Sequence, residues 1–228
     1  MTRGDLITVV SAKLGLNKST GHAERALMEA WANEGVVEVL LATHCYTEIG
    51  DMDLTAGVTE YRMDDDILAV TNDKITSGSN SGTFRVVTLE EMIDRQASNY
   101  TVDRTGTSVV AMEGNLLVVF PAPVTGTTIR YFYVPRPTPM TDDAHDPSQA
   151  TYGGVPAEYH KAIEYYMLWQ GAEYDNKKAP MAPQEYATAF EGLCKKYRKA
   201  HRQKAQRGLR PGRIGYPGRN LGRRNDVY

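Results

Sequence analysis

Between Lys195 and Arg224 the chain carries twelve Lys or Arg residues and no Asp or Glu, and from Gly208 onward it is punctuated by Pro211, Gly212, Gly215, Pro217, Gly218 and Gly222. Repeated Gly and Pro forbid a regular helix or strand. A dense charge of one sign with few apolar residues cannot build a core of its own. The segment reads as an arm whose shape must come from a partner. The rest of the chain has the opposite charge: of 26 basic and 28 acidic residues in all, residues 1–194 hold 14 and 27. A body near −13 thus carries an arm near +12, a separation that the formal net charge of −2 conceals.

Two helices precede the arm. Pro156 follows Gly153 and Gly154 and suits the first turn of a helix. Tyr159, Ala162, Ile163, Tyr165, Tyr166, Met167, Leu168 and Trp169 then make that helix apolar almost all round. Such a helix lies at the centre of a core or is shared between a core and a neighbouring subunit, so Tyr165, Tyr166 and Trp169 are core or subunit-interface residues. Lys177, Lys178, Pro180 and Pro183 mark a short connection. Tyr186, Ala189, Phe190, Leu193, Cys194, Tyr197 and Ala200 form one stripe at helical spacing, which predicts an antiparallel hairpin. Arg202, Gln203, Lys204, Ala205 and Gln206 still favour helix, so the second helix is expected to outrun its own core.

At the other end, Thr2 and Asp5 have capping-box spacing, Leu6, Val9, Val10 and Leu14 share one helical face, and Gly15 supplies a stop. Ser19 or Thr20 is expected to cap a second helix reaching about Leu41, with Ala23, Ala26, Leu27, Ala30 and Trp31 on one side. From Thr43 the period falls to two, with Cys45, Thr47 and Ile49 alternating. Leu54 to Tyr61 supplies a turn and a strand, and further strands are predicted at Ile67–Val70, Ser108–Met112, Leu116–Phe120 and Thr127–Val134. Ser77–Gly82 reads as a loop tip, and Glu113-Gly114-Asn115 and Thr125-Gly126 as turns. Thr88 and Glu91 predict a short helix. The order helices, strands, helices predicts an α+β fold: a helical bundle built from both ends of the chain with an inserted β-rich subdomain and an extended basic C-terminal arm. The expected boundaries are 1–42 and 141–207 for the bundle, 43–140 for the insertion and 208–228 for the arm.

Little in the chain suggests catalysis or a cofactor. Its 228 residues can bury a core, and neither a signal peptide nor a membrane-spanning apolar run is expected. Cys45 and Cys194 have no metal or redox spacing and read as reduced core residues. The acceptor patterns at Asn17 and Asn99 are chance matches in a chain without a secretory signal. Asp64-Asp65-Asp66 lacks calcium-loop spacing and suits a solvated turn, and Asp142, Asp143, His145 and Asp146 suit a polar loop. No His sits beside a nucleophile motif. The glycines of 212–218 lack the preceding strand and the lysine of a phosphate loop. No metal, cofactor or enzymatic site is expected.

The arm remains the specific feature. Leu209, Ile214, Tyr216 and Leu221 are wasted in water and useful as anchors. Between them stand Arg207, Arg210, Arg213, Arg219, Arg223 and Arg224, a residue type suited to bidentate pairing with carboxylate or phosphate. Lys195, Lys196, Arg198, Lys199, Arg202 and Lys204 add charge at its base. The partner is an acidic protein surface or a nucleic acid. For DNA, the log–log salt slope would be roughly −8 to −11 if most of these groups met phosphates.

Several short segments resemble tailed-bacteriophage head-to-tail adaptor (connector) proteins. Thr55-Ala56-Gly57-Val58-Thr59-Glu60-Tyr61 followed by Asp65-Asp66-Ile67-Leu68 is similar to one of their motifs, although Met63-Asp64 stands where Leu-Pro is frequent. Thr88-Leu89-Glu90-Glu91, Pro121-x-Pro123 ahead of Gly126-Thr127, Tyr131-Phe132-Tyr133, and the helix start Val155-Pro156-Ala157-Glu158-Tyr159-His160-Lys161-Ala162-Ile163 are similar too, and the likeness covers most of residues 1–205. The resemblance implies a ring, commonly of twelve copies, at the capsid vertex of the virion. It implies an arm that reaches the portal protein, a far face that receives the next neck, stopper or tail-tube component, and genomic DNA in transit through the channel. Two other readings stay open: a nucleic-acid-binding protein using the basic tail, and, last, an enzyme with a dispersed site.

Overall fold

The computed structural model describes residues 1–77, 83–97, 109–113, 116–123, 127–175, 177 and 179–208. Among these described residues five α-helices and seven strands follow in the order α1 (Arg3–Leu14), α2 (Ala23–Thr43), β1 (Glu48–Leu54), β2 (Glu60–Arg62), β3 (Ile67–Ser77), β4 (Thr83–Val87), α3 (Leu89–Ala97), β5 (Val109–Glu113), β6 (Leu116–Phe120), β7 (Thr127–Pro135), α4 (His160–Tyr174) and α5 (Pro183–Gly208). The fold is mixed α+β, with helices from both ends of the chain packed into one bundle.

Local chemistry sets the helix ends. Thr2 accepts from the Asp5 amide while the Asp5 carboxylate accepts from the Thr2 amide, a reciprocal cap, and Gly15 closes α1 in the left-handed region. The second cap is not Ser19 or Thr20. Gly21 takes a positive φ of 81°, the Ser19 carbonyl accepts from the His22 amide, and His22 Nδ1 accepts from Glu24 N–H, so α2 starts at Ala23. A 3₁₀ turn over Ala157–Tyr159 separates Pro156 from α4.

Leu6, Ile7, Val10 and Leu14 of α1 meet Met28, Trp31, Val36, Val39 and Leu40 of α2 in the bundle core. Ile163, Met167 and Leu168 of α4 and Tyr186, Phe190 and Cys194 of α5 complete it. Each fully buried aliphatic contributes about 1.5–3 kcal/mol. Helices α2 and α4 approach closely at Gly35, where a Cβ would lie 3.1 Å from Ile163 Cγ2 and 3.2 Å from Tyr166 Cδ1.

The strands form a hydrogen-bonded series β1-β7-β3-β4-β5-β6-β2. Strand β4 joins its two halves: Thr83 and Phe84 pair with β3, and Arg85 to Val87 run parallel to β5. Alternation on β5 and β6 serves two layers. Val110, Leu117 and Val119 pack with Leu54, Ile129 and Tyr131 of the other half, while Val109, Ala111 and Val118 turn outward to Met92 of α3. Strand β1 begins at Glu48, later than the alternation from Cys45 suggests, because Cys45 is drawn into the bundle core. Strand β4 lies where no strand was expected, and β3 runs on to Ser77; the rest of the expected loop tip, Gly78–Gly82, lies outside the described residues.

Candidate docking interface

Helix α5 has two faces of different chemistry. Tyr186, Phe190 and Cys194 are buried and Tyr197 is half-buried, three or four residues apart, which fixes the helix on α4. Phe190 meets the Tyr166 ring edge-on at 5.6 Å between centroids. On the other face Lys195, Lys196, Arg198 and Lys199 are all exposed. Lys195 reaches Glu191 at 3.5 Å with both side chains open to water, an arrangement worth under about 1 kcal/mol. The helix then continues beyond its packed stripe as far as Gly208.

Arg202, Lys204 and Arg207 belong to these last turns, and their side chains lie outside the described residues. So do Leu209, Arg210, Arg213, Ile214, Tyr216, Arg219, Leu221, Arg223 and Arg224 altogether. Tyr166 is buried, while Tyr165 and Trp169 are half-buried at the margin of the core. Tyr165 sits 6.2 Å from the Tyr186 ring, with Lys161 Nζ 5.2 Å above its own ring. The Trp169 indole N–H donates to Glu173 at 2.7 Å.

Beside Tyr166 lies a groove of about 350 Å³, with Val36 and Val37 of α2 on one side and Pro137 and Pro139 on the other. Glu34 and Glu38, one helical turn apart and exposed, stand at its rim. The Tyr166 hydroxyl donates to Glu34 at 3.5 Å. Burial, reinforced by the charges of Glu34 and Glu38, pushes the phenol up to about 12. Sequence reasoning passed over this groove, because the glutamates of α2 and the Pro137–Pro139 segment are brought together only by the fold.

The acidic loop after β7 is a clasp. Asp143 takes hydrogen bonds from the guanidinium groups of Arg3 and Arg25, and the Arg25 bond above all holds its carboxyl below the usual range. Arg3 also donates to the Met140 carbonyl at 2.9 Å. Among the described residues no three His, Cys, Asp or Glu side chains are arranged to hold a metal ion. Both cysteines are buried and unpaired. No helix among the described residues is long and apolar enough to cross a membrane.

The segments that resemble phage adaptors have structural work to do. Gly57 takes a positive φ of 78° at a turn, and its amide donates to the Pro123 carbonyl. The Tyr61 hydroxyl accepts from the Thr55 amide at 2.9 Å and lies 3.0 Å from the carbonyls of Thr55 and Val58. Val155 is wholly buried where the helix start enters the bundle. The sequence profile of the SU10 adaptor protein family matches residues 1–214. The chain belongs to that family. This SU10 adaptor family member is therefore a structural adaptor protein of a phage, and its matched region extends past the end of α5 into the basic segment. A search of curated proteins finds no match.

Proposed function

We propose that the protein is the subunit of a head-to-tail adaptor ring, of twelve copies, that joins the portal protein to the next neck, stopper or tail-tube component and lines the DNA exit channel. Assembly takes place in the host cytoplasm, and the ring ends in the virion at the capsid vertex. In this reading the bundle of residues 1–42 and 141–207 and the insertion of 43–140 form the body of the ring. Arm residues 207–224 dock on the portal through Arg207, Arg210, Arg213, Arg219, Arg223 and Arg224, with Leu209, Ile214, Tyr216 and Leu221 as apolar anchors. Lys195, Lys196, Arg198, Lys199, Arg202 and Lys204 meet portal carboxylates or passing genomic DNA. Tyr165 and Trp169, half-exposed on α4, are the candidates for contact with the adjacent subunit, while Tyr166 braces them from within.

The observation that carries this reading is α5: buried on one face, basic on the other, and longer than the core it packs on. Weak single-arm contacts become strong when many copies act together on a ring. Light scattering on size-exclusion fractions, with and without the purified portal, provides the test. A portal-dependent shift to a ring-sized complex, abolished by truncation after Ala205, is expected. No association with the portal would overturn the proposal.

The exposed cluster Lys195, Lys196, Arg198 and Lys199 also favours a second reading, a nucleic-acid-binding protein. Gel shifts separate the two, since that reading demands DNA binding that falls with salt at a slope of roughly −8 to −11 and vanishes with the arm.

A further inference from the structure

The groove beside Tyr166 is apolar inside and acidic at the rim, the inverse of the arm. Its volume, about 350 Å³, stands at the small end of ligand sites and suits one or two side chains of a peptide. Glu34 and Glu38 repel one another across one helical turn, and neither has a basic partner among the described residues. The arm offers Arg213-Ile214-Gly215-Tyr216, apolar residues next to a cation and free of acid. A carboxylate pair matches the planar donors of arginine, while Val36, Val37 and the two prolines accept the aliphatic or aromatic anchor.

Helix length decides whose arm fits. Phe190 marks the level of Tyr166 on α5, and at 1.5 Å per residue Gly208 lies about 27 Å farther along the helix axis. The six residues from Gly208 to Ile214 span at most about 21 Å when fully extended. Ile214 therefore falls short of the level of its own groove, and Tyr216 would reach that level only with every residue between fully extended, whereas an arm from another molecule has no such restriction.

We infer that the groove between α2 and the Pro137–Pro139 segment receives the Arg213–Tyr216 stretch of a second copy of this chain. Donor and acceptor are different surfaces, so the contact either closes as a reciprocal exchange between two copies or propagates head to tail, closing a ring where the rotation allows. It links adaptor subunits to each other before the portal engages their arms, so its test contains no portal and its failure leaves the portal docking proposed above untouched.

Sedimentation velocity on the full-length protein, at low and moderate salt, tests this with two charge-reversed variants. E34K/E38K alters exposed groove residues, and R213E/R219E alters the arm, so circular dichroism should show both folded. Without the portal, wild-type protein is expected to self-associate weakly and reversibly, short of the ring that the portal induces, and each variant alone to lose at least tenfold in association constant. Mixing the two variants restores association, because each arm then faces a groove of opposite charge. The inference is overturned if E34K/E38K associates like wild type. It is equally overturned if the mixture stays as dissociated as its components, the result expected for an arm folded onto its own body or docked elsewhere.

Discussion

The ring of Tyr197 lies flat against that of Tyr159, with centroids 4.2 Å apart and planes 12° from parallel. The Tyr159 hydroxyl donates to the main-chain carbonyl of Tyr197 at 3.2 Å. Stacking and hydrogen bond together pin α5 just before it leaves the bundle. Tyr159→Ala should therefore destabilise the protein by about 3–5 kcal/mol, the range for removing a buried aromatic. Tyr159→Phe should cost about 0.5–1.5 kcal/mol for the lost hydrogen bond. Urea unfolding followed by circular dichroism reads both, and equal costs would mean that the hydroxyl, not the ring, matters.

Gly171 allows α4 to lie against α1. A Cβ at this position would overlap the Leu14 side chain, with Trp31 Cζ3 at 3.3 Å behind it. Gly171→Ala should cost about 1–3 kcal/mol through overpacking. Combined with Leu14→Ala, it should cost less than the sum of the single changes, because the second change vacates the space the first one needs. Additive costs in a thermal-unfolding cycle would contradict the close approach.

Acid should weaken the fold in two stages. His160 is fully buried, with Nε2 3.1 Å from the Val155 carbonyl and Nδ1 3.0 Å from the Met1 ammonium. Burial first, and the ammonium second, hold its pKa below the ordinary 6.5, although Asp146 opposes this. The unfolded chain therefore takes up the proton first, and stability falls as pH drops below 6.5 through the folded value. Glu164 behaves likewise at lower pH. Burial pushes its carboxyl up, but hydrogen bonds from Lys13 at 2.6 Å and Lys161 at 2.7 Å outweigh that and leave it below 4.5. His160→Gln should flatten the upper stage and Glu164→Gln the lower in melting temperatures measured from pH 7.5 to 3. A curve unchanged by either variant would contradict these assignments.

Native thiols should be inert. Burial pushes Cys194 up to about 12 and raises Cys45 as well. The thiolate that reacts is then a fraction of ~10⁻⁵ of Cys194 at neutral pH. Ellman's reagent should label neither residue until denaturant is added; prompt stoichiometric labelling of the folded protein would count against the packing described.

Much of the fold is legible in periodicity. The capping box at Thr2, the stop at Gly15 and the stripe from Tyr186 to Tyr197 each act through neighbours close in sequence, so the sequence displays them. Strand β4 was not visible, because its five residues, Thr83 to Val87, owe their pairing to β3 on one side and to β5 on the other. The cap of α2 was misread because Ser19, Thr20 and His22 can all accept from an amide, and the positive φ of Gly21 selects among them. The basic face of α5 was readable from composition alone. The acidic-rimmed groove was not, since Val37 and Pro139 are brought together across about 100 residues by the β insertion.

Because α5 is one unbroken helix from Pro183 to Gly208, it works as a stiff lever with its fulcrum at Tyr197. A load applied where the helix emerges cannot be absorbed by a hinge along the way. It must tilt the buried segment, where Phe190 presses on Tyr166 at the floor of the groove. A pull on the emerging end of the chain would thus be passed to the Phe190–Tyr166 contact and to the groove that Tyr166 lines, about eighteen residues back along the helix.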